Sequence, residues 1–254
     1  MRKRIELDEK PTKLKITLET FSKEKLWIKV KDANRKNTYY TKRYAFVKGV
    51  EEFFVLMPQA PMDAIVIVYN DTNGRMRNDE SFNVKIEALP LDLGKPKFSK
   101  KTASFIKFAQ EFSDESGYLS ASPKGDTYKS NNGRFRIDYF DKIRSYRTNK
   151  VVKTPARISQ VNGKIEVSAE QFRKYTIPMR MAILLHEYSH YYLNTNPSDE
   201  SQADLNGLNI YLKLKYPKID IYNVFLNVFK RSPSMQNKKR FQKLDRFVKG
   251  HKRK

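Results

Sequence analysis

The period of the apolar residues changes part-way along the chain, and that change constrains the fold more than any other feature. Lys13 to Leu18 and Leu26 to Val30 alternate apolar and polar side chains, the pattern of strands with one face buried. Phe53 to Met57, Ala64 to Tyr69 and Phe82 to Ile86 follow at short intervals, separated by turn-forming residues such as Asp71-Thr72-Asn73-Gly74. Several short strands at this spacing predict a small antiparallel β-sandwich over residues 1–93. That region has no histidine and no glycine-rich phosphate loop, which leaves support, or docking to an assembly partner, as its expected work.

Leu91 to Lys101, with Gly94, Pro96 and four lysines, reads as a linker. Beyond it the period lengthens to that of helices. Thr102 to Phe112 is amphipathic, and Pro178 sits in the first turn of a helix from about Ile177 to Asn194, where its missing amide costs nothing. Asn196-Pro197-Ser198-Asp199 stops that helix and caps the next, which runs to about Tyr216. Tyr222 to Lys230 and Gln236 to Gly250 are helical, and Gly133 to Tyr139 and Gly163 to Val167 read as strands. The expected fold class is therefore α+β, with residues 94–254 forming a mostly helical domain around a small sheet. No run approaches the roughly 18 apolar residues of a membrane helix, and Met1-Arg2-Lys3-Arg4 is not followed by the apolar stretch of a signal peptide, so a cytoplasmic protein with no membrane contact is expected.

Chemistry enters at His186-Glu187-Tyr188-Ser189-His190. Residues four apart share a helix face, so both imidazoles can meet one ion while Glu187 lies beside them as general base. The bland alternative is a hydrogen-bonded pair of core histidines. With no cysteine in the chain, a metal must be held by histidine and carboxylate. A catalytic zinc site needs a third ligand and an open position, and His251 lies in a lysine-rich tail. Glu200 and Asp204 share a face at the start of the next helix, and Ala203 and Gly207 on that face are small enough to let it approach the first helix closely. Glu200 is the expected third ligand, with Asp204 accepting a hydrogen bond from a ligand histidine; Asp199, suited to capping, and Asp204 remain competing third ligands.

His-Glu-x-x-His followed by Glu200-Ser-Gln-Ala-Asp204 resembles the gluzincin metallopeptidases, whose third zinc ligand is a glutamate on a following helix. The resemblance covers Phe105 to Tyr216 and implies that zinc is the metal, that Glu187 is the base, and that a protein or peptide substrate is cut. Nine residues separate His190 from Glu200, as in compact members of the family. The Lys- and Asn-rich style also resembles small zincins encoded by tailed bacteriophages, which implies a virion as the alternative location. A donor for the tetrahedral oxyanion is expected from Tyr211 or Tyr192, and the substrate is expected to lie along the edge of the strand near Ile165 to Val167.

Net charge of +23, from 51 Lys and Arg against 28 Asp and Glu, predicts attraction to polyanions. The excess is concentrated in the C-terminal region, where Lys230 to Lys254 holds only one acid, Asp245, and polyanion contact is expected there. Met181 to Leu212 contains no Lys or Arg, as expected if a dication repels positive charge from that stretch. Two other classes compete with a peptidase: a structural component of a virion or other large assembly that keeps the fold without turnover, and a nucleic-acid-binding protein with incidental histidines.

Overall fold

The computed structural model describes residues 1–72, 75–77, 81–231 and 233–251. The chain forms two compact units, Met1–Lys95 and Pro96–Lys254, so the boundary falls just beyond the expected one inside the linker. The expected turn at Asn73-Gly74 lies outside the described residues.

The first unit holds β1 (Arg2–Glu6), β2 (Thr12–Asp32), β3 (Tyr39–Met57), β4 (Asp63–Thr72), β5 (Arg75–Arg77) and β6 (Phe82–Pro90). All belong to one hydrogen-bonded antiparallel sheet of order β1-β4-β2-β3, with β5 beside β4 and β6 beside β2. The expectation of short strands in two separate layers is corrected here. The runs Lys13 to Leu18 and Leu26 to Val30 are two halves of the single long strand β2, which pairs with β3 along most of its length. On its other edge β2 pairs with β6 over Thr12 to Thr20 and with β4 over Leu26 to Asp32.

Between these halves the β2–β3 register shifts, from Thr20 opposite Gly49 to Glu24 opposite Val47. Such an irregularity bends the strands, and Gly49 takes the left-handed conformation (φ 73°) that a glycine adopts without strain. Leu14, Ile16, Leu18, Leu26, Ile28 and Val30, all from β2, are fully buried. The described residues of this unit include no helix to cover them. These side chains build the core of the unit from a single sheet.

The second unit runs α1 (Lys100–Glu115), β7 (Asp126–Lys129), β8 (Arg136–Phe140), β9 (Ala156–Ile158), β10 (Ile165–Ser168), α2 (Ala169–Phe172), α3 (Ile177–Tyr192), α4 (Glu200–Lys213), α5 (Lys218–Arg231) and α6 (Met235–Gly250). Together with the first unit this makes the chain α+β. Ser99, Thr176, Asp199 and Ser234 cap α1, α3, α4 and α6 through their side-chain oxygens, which fixes where those helices begin. The small sheet has order β7-β8-β10-β9, parallel only between β8 and β10.

Helix α3 runs through the core, which is why its sequence is apolar on nearly every side. Against α1 it stacks Tyr188 on Phe105, ring centroids 4.2 Å apart, and the Tyr188 hydroxyl meets that of Thr102 at 3.1 Å. Arg180 is fully buried in the first turns of α3. Its guanidinium donates to the carbonyls of Ser113 (2.8 Å) and Phe172 (3.2 Å), in the last turns of α1 and α2. Helix ends leave such carbonyls without intrahelical partners, so the charge closes two helices at once. Burial brings its pKa down to about 10, which leaves it charged at neutral pH. Among the described residues no helix is long and apolar enough to cross a membrane.

Candidate metal centre

The approach of α4 to α3 creates the centre. Ala203 is fully buried, and a Cβ on Gly207 would stand 2.9 Å from the His186 amide nitrogen and 3.0 Å from the carbonyl carbon and oxygen of Leu185. Only the absence of a side chain allows the two backbones this separation. Glu200, the first residue of α4, and Asp204 one turn later are thereby carried against the histidine face of α3. Asp199 does not join them: its carboxylate accepts from the Gln202 amide at 3.0 Å as the helix cap.

Three potential ligands converge. The Nε2 atoms of His186 and His190 are 3.0 Å apart, and the Glu200 carboxylate lies 3.5 Å from the first and 3.7 Å from the second. Metal–ligand bonds of about 2.1 Å in tetrahedral array place ligand atoms roughly 3.4 Å from one another. The observed separations bracket that value, so these residues fit a small divalent ion.

The far side of each ring is fixed. His186 Nδ1 donates to Asp204 at 2.9 Å, and His190 Nδ1 donates to the Pro197 carbonyl at 2.7 Å. Both partners are acceptors only, so each ring carries its proton on Nδ1 and turns an Nε2 lone pair inward. Two inward lone pairs at 3.0 Å call for a cation between them. Burial opposes charge on His186, but hydrogen bonds to Asp204 and Glu200 outweigh it and raise its pKa to about 10. On His190 burial, and then the neighbouring His186 charge, push the other way, lowering its pKa. The hydrogen bond to His186, opposed by burial and helped by the charges of His186 and Arg240, brings Glu200 down to about 2.

Glu187 is buried beside this group, and burial is the main reason its pKa rises to about 7, with the charge of His186 opposing and that of Glu200 adding. The backbone of Ile158 in β9 works against that rise. That strand is the sheet edge. Ser159 N donates to Lys164 O and Ser168 N to Pro155 O, so residues 155, 157 and 159 face β10 and the main-chain groups of Ala156 and Ile158 point away from it. The expectation of a substrate-binding edge at Ile165 to Val167 is corrected: those residues lie in β10, paired with β8 on one side and β9 on the other.

A cavity of about 530 Å³ joins these groups, lined by β9, by His186, Glu187 and His190, and by Glu200, Asp204 and Arg240. Arg240 of α6 was not among the expected site residues. Its guanidinium binds both oxygens of Asp204 (2.8 and 2.9 Å) and reaches Glu200 at 2.9 Å. Positive charge is thus absent from the sequence between residues 181 and 212 yet supplied to the same place from another helix. The cations raise no conflict with the acids: burial works against Asp204 as a carboxylate, but His186 and Arg240 together hold its pKa below the ordinary value.

Tyr211 reaches the cavity wall with its ring, but its hydroxyl donates to the Pro217 carbonyl at 3.0 Å and so is not an oxyanion donor facing the histidines. Tyr192 stacks on Tyr188 and packs across Tyr191, outside the cavity lining. His251 follows α6 and stacks on Phe247. Set against known proteins, the chain matches no family model, no curated protein and no solved structure. The geometry alone carries the functional argument.

Proposed function

We propose that the chain is a zinc-dependent peptidase, with His186, His190 and Glu200 as ligands and Glu187 as general base. The observation that carries this reading is Glu187: a metal site that only braces a fold uses the histidines, and has no work for a buried carboxylate that lines the same cavity beside them. Zinc at that point supplies Lewis acidity and acidifies water. Glu187 takes a proton from the attacking water and returns it to the leaving amine. Asp204 and the Pro197 carbonyl hold the two imidazoles in the tautomer that ligation requires, and Arg240 keeps both acids of α4 ionised and in place. An extended peptide lies along the outward edge of β9.

Metal analysis of the wild-type chain and of Glu187→Gln, with peptide-library cleavage on the same samples, tests the proposal. One zinc per chain in both, with cleavage in the wild type alone, supports it; a chain that binds no zinc refutes it. One observation favours a second reading, an assembly component that keeps the fold without turnover: the Arg240 guanidinium already pairs with the third ligand. Zinc in both proteins with cleavage in neither decides for that reading.

A further inference from the structure

One face of the first unit carries a row of aromatic rings that shares no residue with the metal centre. Odd-numbered side chains in the second half of β2 point to this face, and the register sets Trp27 between Tyr44 of β3 and Tyr69 of β4. The ring centroids of Trp27 and Tyr44 are 5.4 Å apart; those of Trp27 and Tyr69 are 6.4 Å apart, with planes only 12° from parallel. Phe46 extends the row, 6.0 Å from Tyr44. Tyr44 and Phe46 are 52% and 57% exposed, so these rings are not packing a core.

Lysines stand among the rings. Lys25 lies over Tyr44 and Lys29 over Tyr69, each 4.7 Å from the ring centroid, and Lys23 lies 5.4 Å over Phe46. Lys42 is directly opposite Lys29 across the strands. No described carboxylate forms an ion pair with any of these four. We propose that this face binds single-stranded nucleic acid, with unpaired bases stacking on Trp27, Tyr44, Phe46 and Tyr69 and phosphates meeting the four lysines. Aromatic platforms interleaved with cations suit a strand whose bases are unstacked, whereas a duplex keeps its base faces covered. An apolar protein surface would strip water from four ammonium groups without return, and a polyanion lacking bases would leave the rings unused. The chain's charge of +23 draws such a ligand from a distance.

Trp27 is the one tryptophan in the chain, so stacking is read directly from its fluorescence. The full chain is titrated at low salt with oligothymidylate of about 20 nucleotides, a length exceeding a typical single-domain site. The matching duplex and inorganic polyphosphate serve as comparisons. Saturable quenching by the single strand, with binding about tenfold weaker for either comparison, is expected. Tyr44→Ala weakens binding about tenfold, and the pair Lys25→Gln and Lys29→Gln lowers the slope of log affinity against log salt by about 1.4. Both sets of changes are on the surface, and an unchanged melting temperature verifies folding. No binding at low salt overturns the proposal. Binding by a labelled oligonucleotide without quenching, or unaltered in Tyr44→Ala, also overturns it and moves the contact elsewhere, the basic helix α6 first.

Discussion

Gly207→Ala is predicted to damage the metal centre without replacing a ligand. The new Cβ would lie 2.9 to 3.0 Å from main-chain atoms of Leu185 and His186, whereas carbon contacts settle at about 3.5 Å or beyond. The obstructing atoms are backbone, so no side chain can rotate aside and α4 must retreat by roughly 0.5 Å. That displacement equals the tolerance of about 0.5 Å within which a ligand set stays productive. Glu200 and Asp204 both ride on α4, so the ligand and the acceptor that orients His186 shift together. Overpacking of this kind costs about 2 kcal/mol, which in a unit of this size lowers the melting temperature by roughly 4–8 °C. Zinc affinity falls about 10- to 100-fold, the loss typical when an outer partner of a ligand is disturbed. Melting in chelator isolates the packing effect, and zinc competition against a chromophoric chelator reads the affinity. Gly250→Ala is the control, because its Cβ meets nothing within 4 Å. Unchanged zinc affinity in a destabilised Gly207→Ala protein would refute the coupling of helix spacing to the centre.

Three further outcomes are expected. Asp204→Asn weakens zinc binding about 10- to 100-fold by disturbing the acceptor at His186 Nδ1; an unaltered zinc titration removes Asp204 from that role. Arg240→Met leaves the buried Asp204 without its cation and destabilises the chain by about 3 kcal/mol in urea unfolding, part of which Asp204→Asn restores in the double variant; a neutral single variant counts against the pairing. In the metal-free protein, Glu187 keeps a proton up to about pH 7 when folded but releases it near 4.5 when unfolded. Stability from this group is present below 4.5 and is lost as pH rises to about 7, so Glu187→Gln flattens that limb; parallel stability curves for the two proteins would contradict it.

What the sequence disclosed and what it concealed follow from how far each signal reaches. His186, Glu187 and His190 lie within one helical turn or so, and Glu200 and Asp204 within the next helix, so local periodicity placed all five. Asp199 was legible as a cap for the same reason. Arg240 stands 36 residues beyond Asp204 among many other cations, and only the packing of α6 distinguishes it. The Pro197 carbonyl is a main-chain group and leaves no mark in side-chain chemistry. Strand β9 has three residues, too few for alternation to register, and so the sheet edge was assigned to the longer β10 beside it. Phe21-Ser22-Lys23 interrupts the pattern of β2 where the register shifts, which made one bent strand read as two. For Tyr211 the residue type was suggestive, but the direction of its hydroxyl depends on where Pro217 falls.

The position of Arg240 also orders events during synthesis. The histidines and both acids of α4 are made before α6, the helix that carries their counter-charge. A nascent chain held at that stage has two carboxylates that the finished unit neutralises and the unfinished one must leave to water. Completion of the centre therefore waits on α6, which is made after both helices that carry its ligands.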